Sequence, residues 1–109
     1  MFAMNHTPTF TRTVEIKVPV DGGHDLQTLQ VTYRIFKDEE MFDFDMNTAE
    51  GQKDYLRKVI DSMGDIVDEA GQQVPYNDSL REHILALPYT RVPLMQTYNT
   101  AMLPALLGN

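Results

Sequence analysis

The stretch Asp43-Phe44-Asp45-Met46-Asn47-Thr48-Ala49-Glu50-Gly51-Gln52-Lys53-Asp54 sets oxygen-bearing side chains at alternate positions, as a calcium loop does. Asp43, Asp45 and Asn47 would fill the first, third and fifth positions of such a loop. The remaining positions fit poorly. Thr48 stands where a glycine must make the sharp turn, and the short Asp54 replaces the bidentate glutamate at the end. Glu50 falls where an apolar residue normally faces the core. The same residues also describe a helix start without exceptions. Asn47 can accept from the free amides of a first turn, and Glu50 three residues on completes a capping box. The expectation is therefore a cap at Asn47, with Asp43 and Asp45 solvated and no metal site.

Other chemistry-bearing residues are scattered. His6, His24 and His83 fall in a tail, a turn and a helix, and none has a second ligand at a zinc-helix spacing. Ser62 and Ser79 lack a nucleophile-elbow context. Gly22-Gly23 is an isolated pair, not a phosphate loop. Nothing here assembles a catalytic constellation, so the chain reads as a non-enzyme with no cofactor.

The elements that position these residues follow from periodicity. Val14, Ile16, Val18 and Val20 alternate with polar residues, as do Leu29, Val31, Tyr33 and Ile35. Two such runs around Asp21-Gly22-Gly23-His24-Asp25 predict a β-hairpin over 10–36. Pro19 predicts an edge position or a strand end. Asp38-Glu39-Glu40 can open a short helix with Met41, Phe42 and Met46 inward. A longer helix from Asn47 carries Tyr55, Leu56, Val59, Ile60 and Met63 at helical spacing, with Gly64 as its stop. Residues 65–76 predict a tiny hairpin or an ordered loop around Asp68-Glu69-Ala70-Gly71. Asn77 or Asp78 then caps a helix with Leu80, Ile84, Leu85 and Leu87, ended by Pro88. Thr90 caps a last helix with Pro93 in its first turn, closed by Pro104. The fold class is α+β: an N-terminal hairpin, then three to four helices over 38–103, in one domain flanked by tails at 1–9 and 104–109.

The 109 residues, 42% hydrophobic, suit one folded domain. Cysteine is absent, so no disulfide framework exists. Sixteen acidic against nine basic residues give a net charge of -7, which disfavours nucleic acid and anionic membranes as partners. No apolar run reaches the roughly 18 residues of a membrane span, and the N-terminus does not resemble a signal peptide. The expected location is the cytoplasm. Seven methionines, several in or beside helices, fill a small core or line an adaptable apolar surface. The C-terminal residues Tyr98, Met102, Leu103, Leu106 and Leu107 form an uncharged apolar group that either packs on another chain or returns to its own core. They are the candidate partner-binding residues.

Several local strings carry a resemblance. Tyr33-Arg34-Ile35 ends the hairpin, Ala49-Glu50-Gly51-Gln52 opens a helix, and Leu56-Arg57-Lys58-Val59-Ile60 lies at its end. Ile66-Val67-Asp68-Glu69-Ala70-Gly71-Gln72-Gln73-Val74-Pro75-Tyr76 is similar to a "VDE-G-x-x-VP-F/Y" turn before a short capped helix. Together, over residues 10–103, the chain resembles the small tail assembly chaperones of long-tailed bacteriophages and prophages. Gly64-Asp65 stands where many relatives place an aromatic residue. The resemblance implies a non-catalytic protein that binds the helical tape measure protein and helps recruit tail tube subunits, often through a longer frameshifted form. It also implies self-association, location in the bacterial host cytoplasm and absence from the mature virion. The alternative is a structural terminator or joining protein retained in the virion.

Overall fold

Alternation along the first third of the chain builds a long antiparallel hairpin. In the computed structural model, which describes residues 1–4, 8–41 and 43–107 (the last four by backbone alone), β1 is Thr9–Val20 and β2 is Gly23–Arg34. The register is unbroken from Thr9↔Arg34 to Val20↔Gly23. The turn is therefore tighter than the five residues expected: only Asp21 and Gly22 lie outside the strands, and Gly22 takes φ +81°. One face of the hairpin buries Val14, Ile16, Leu29, Val31 and Tyr33. The other is polar, with Thr11 bonded to Thr32 at 2.8 Å and Gln30 donating to Thr13 at 2.7 Å.

Residues 38–40 form only a single 3-10 turn. Of its expected inner face, Met41 packs against the core, Met46 is 37% exposed, and Phe42 lies outside the described residues. Helix α1, Ala49–Val59, ends earlier than its apolar spacing suggests, and Ile60–Gly64 becomes strand β3. β3 pairs antiparallel with β2, giving the order β1-β2-β3. The pairing explains the misleading spacing. Met63 faces Val31 and Ser62 faces Thr32, but Ile60 faces Tyr33, so Asp61 is bulged out. The bulge puts Ile60 and Met63, three apart, on one buried face, as a helix would.

Arg34 holds the helix-to-strand junction. Its guanidinium donates to the carbonyls of Arg57, Lys58 and Ile60 at 2.8–3.1 Å and pairs with Asp61 at 3.2 Å. The orphan carbonyls at the end of α1 are thus satisfied by a cation, which also suits the negative end of the helix.

Residues 65–76 make the small ordered turn expected. Val67 bridges Gln73, and Asp68 accepts from the amides of Ala70 and Gln72 around Gly71 (φ +79°). Helix α2, Asp78–Ala86, starts at Asn77, whose side chain accepts from Leu80 N at 2.8 Å. Helix α3, Pro88–Leu107, is longer than expected at both ends. Pro88 both terminates α2 and opens α3, since its missing amide is one of the orphans there. Thr90 is the third residue of α3, not its cap. Buried, its hydroxyl lies 2.7 and 2.8 Å from the Ile84 and Leu87 carbonyls, joining the two helices. Pro104 removes only one late bond, so the helix runs past it instead of stopping. The three helices cover the inner face of the sheet, with Leu56, Val59, Leu85, Leu94, Met95 and Tyr98 completing the core. The molecule is mixed α+β, but a third strand separates its helices.

Candidate interaction surfaces

The Asp43–Asp54 stretch is a cap, although not at the residue its spacing suggested. Asp45 accepts the Asn47 amide on its carboxylate at 3.0 Å, which closes a turn just ahead of the helix. The Thr48 amide and hydroxyl both donate to the Asp45 carbonyl, at 3.2 and 3.1 Å. Thr48 is then the N-cap, accepting from Gly51 N at 3.0 Å. Glu50 is consequently in the second helical position and completes no capping box. It pairs instead with Lys53 at 3.5 Å and Arg57 at 3.9 Å. The turn packs so closely on the helix that only a glycine fits at position 51. Among the described residues no three His, Cys, Asp or Glu are grouped closely enough to hold a metal ion.

A cluster of perturbed charged groups joins α1 to α2. Arg57 reaches Glu82 at 2.6 Å and Asp54 at 2.7 Å, and Arg81 reaches Glu82 at 2.9 Å. The hydrogen bonds from Arg57 and Arg81 hold the Glu82 carboxyl down to about 2. Every partner here is an ion-pair partner, with both acid and base already satisfied. The arrangement ties two helices together and presents no base poised for proton transfer.

A second group is aromatic. Phe10, Tyr33 and Tyr98 cluster with ring centroids 5.2–5.9 Å apart, Phe10 stacked on Tyr33 and Tyr98 tilted against both, and Tyr55 meets Tyr98 edge-on at 6.0 Å. Burial pushes Tyr55 up to about 12 and raises Tyr33 as well. The Tyr33 hydroxyl donates to the Leu94 carbonyl at 2.9 Å, and Tyr55 donates to the Asn99 side chain at 3.1 Å. These phenols are structural pins on α3, Tyr33 tying it to the sheet and Tyr55 tying it to α1.

The aromatic group divides the candidate partner-binding residues. Tyr98 is 6% exposed and belongs to the core, because α3 turns it towards Tyr33. Met102, one turn later, is half-buried and packs on the same cluster. Leu103 is 42% exposed and is the one of the five whose described side chain reaches solvent substantially. The backbone of Leu106 and Leu107 continues α3, and their side chains lie outside the described residues.

An apolar cleft emerges where sequence reasoning identified no surface. It has a volume of about 220 Å³. Ile16, Val18 and Leu29 of the hairpin form one wall, Ile66 and Val67 a second, and Ile84, Leu87 and Tyr89 of the α2–α3 junction a third. Val67, at 53% exposed, stands at the solvent boundary. A signal existed: Ile66-Val67 is an adjacent apolar pair beside the most loop-like segment, and adjacent strand-like residues cannot both face one core. Among the described residues, no helix is long and apolar enough to cross a membrane. In comparison with known proteins, the chain matches no family model, no curated protein and no solved structure.

Proposed function

We propose that this chain is a non-catalytic tail assembly chaperone of a long-tailed phage or prophage, binding the helical tape measure protein and keeping it soluble. The observation that supports the reading is the open apolar cleft between the hairpin and the α2–α3 junction. Its Ile66-Val67 wall belongs to the same string that carries the resemblance to this family. A cleft of this kind takes apolar side chains from one face of a client helix, with the surrounding polar surface left hydrated. Leu103, exposed late in α3, offers a second apolar contact for the same client. The net charge of -7 would keep a coated client in solution. Recruitment of tail tube subunits, through a longer frameshifted form, is part of this proposal.

The test is co-expression with the large helical protein encoded just downstream. Under this reading that protein is soluble only with the chain and co-elutes with it on a sizing column. Val67→Asp and Leu103→Asp, both at exposed positions, should lower recovery of the client without unfolding the chaperone. A client that stays insoluble, or is soluble and elutes alone, would remove the reading. The alternative, a terminator or joining protein, predicts the chain in purified particles.

A further inference from the structure

The sheet ends on one side at β1, and that edge is long. β1 runs for 12 residues and, among the described residues, has β2 as its only partner in the sheet. Because Val20 and Gly23 close a two-residue turn, the even-numbered residues of β1 exchange hydrogen bonds with β2. The backbone of Thr9, Thr11, Thr13, Glu15, Lys17 and Pro19 therefore points away from the sheet. Two observed bonds agree with this phase. Pro8 O, an even position, accepts from Ile35, whereas Thr11 O is taken by the guanidinium of Arg12.

This edge forms the floor of a groove walled by α3. Two hollows of about 480 and 250 Å³ lie along it and share Glu15, Pro93 and Gln96. The groove thus follows β1 from Arg12 to Lys17. Such a groove beside an unpaired edge admits an added strand.

The charges on the edge select the occupant. Glu15 and Lys17 are opposite in sign, both exposed, and both on the outer face of the sheet. If a second β1 pairs antiparallel about an axis at Ile16, each Glu15 faces the other copy's Lys17. Each pair then exchanges two backbone bonds and one ion pair. Moving the axis to residue 15 sets Glu15 against Glu15, and moving it to residue 17 sets Lys17 against Lys17. An axis at Val18 opposes Glu15 to Asp21, and an axis at Val14 sets both charges against threonines. Only the Ile16 register is electrostatically self-complementary. Pro19, lacking an amide hydrogen, then limits how far the ladder extends.

We propose that β1 is a homodimer interface, at which two copies of this chain join edge to edge about Ile16 into one six-stranded sheet, held in register by reciprocal Glu15–Lys17 pairs. The inference uses no property of the client, so its failure leaves the function proposed above standing.

The test is sedimentation equilibrium of the full chain and charge variants from about 1 to 100 µM, the range in which a modest interface populates both states. The wild type should dimerise. Glu15→Lys alone, or Lys17→Glu alone, should weaken the dimer by about tenfold or more, since each places like charges opposite one another twice. The double swap, Glu15→Lys with Lys17→Glu, should restore it. A mixture of the two single variants should form the heterodimer in preference to either homodimer. Far-UV circular dichroism on each variant checks that the hairpin is retained. A wild type that remains monomeric throughout this range overturns the proposal, as does a dimer indifferent to all the swaps.

Discussion

Replacing Gly51 by alanine should destabilise this protein, although the same change inside most helices stabilises it by roughly 1 kcal/mol. The reversal comes from the turn that precedes α1. A Cβ on Gly51 would stand 2.5 Å from the Asp45 carbonyl carbon and closer still to its oxygen. The obstacle is backbone, so no side-chain rotation relieves it, and the turn must retreat by about 1 Å or more to reach van der Waals contact. That retreat strains three bonds at once: Thr48 N and Thr48 Oγ1 to Asp45 O, and Gly51 N to Thr48 Oγ1. The cap contributes about 1 kcal/mol. The two bonds to Asp45 contribute about as much together, being exposed. Local overpacking adds about 1 kcal/mol or more. After the helix-propensity gain is subtracted, a net loss of about 2 kcal/mol remains. Urea unfolding followed by far-UV circular dichroism would show this as a lower midpoint at an unchanged slope. Gly64→Ala is the control, because a Cβ there meets nothing within 4 Å. A Gly51→Ala protein as stable as the wild type, or more so, would refute the packing of this turn on the helix.

The cap assignment gives a paired test: Thr48→Ala should cost about 1 kcal/mol and Asn47→Ala close to nothing, read from the same denaturation curves. Tyr33→Phe keeps the ring stack but removes the donor to Leu94, and should lower stability by about 1–2 kcal/mol without altering the circular dichroism spectrum. Glu82 gives a pH signature. Its pKa is depressed from 4.5 to about 2, so its contribution is full above pH 4.5 and disappears as pH falls towards 2. Glu82→Gln should flatten that part of the stability–pH curve, by less than about 1 kcal/mol because its side chain is 42% exposed and solvent screens the pair.

The sequence by itself determined the features that depend on neighbours along the chain. Alternation from Val14 to Val20 and from Leu29 to Ile35 was enough for the hairpin, and Pro19 for its edge, because a strand's two faces are written at period two. The α2 cap, narrowed to Asn77 or Asp78, the turn at Gly71 and the break at Pro88 were legible for the same reason: each is a bond or a φ angle settled within a few residues. The helix start was legible to within one residue. What chose Thr48 over Asn47 was the Asp45 carboxylate, an interaction just outside the capping rule.

Only the tertiary structure decided where α1 stops. Leu56, Val59, Ile60 and Met63 satisfy a helical stripe, yet the last two end in a strand, since the second edge of β2 required a partner and a bulge at Asp61 kept both side chains buried. Arg34, distant in sequence, makes that exchange possible by satisfying the carbonyls the helix leaves behind. The candidate surfaces were decided at the same level. Periodicity left Tyr98 open to a partner or to its own core, and α3 turns it into the aromatic core; the cleft exists only because the hairpin, the Ile66-Val67 turn and the α2–α3 junction converge. Periodicity records which residues share a face of their own element. Which face another element covers, and which gap is left open, depends on contacts between residues far apart in the chain, and local pattern carries no term for them.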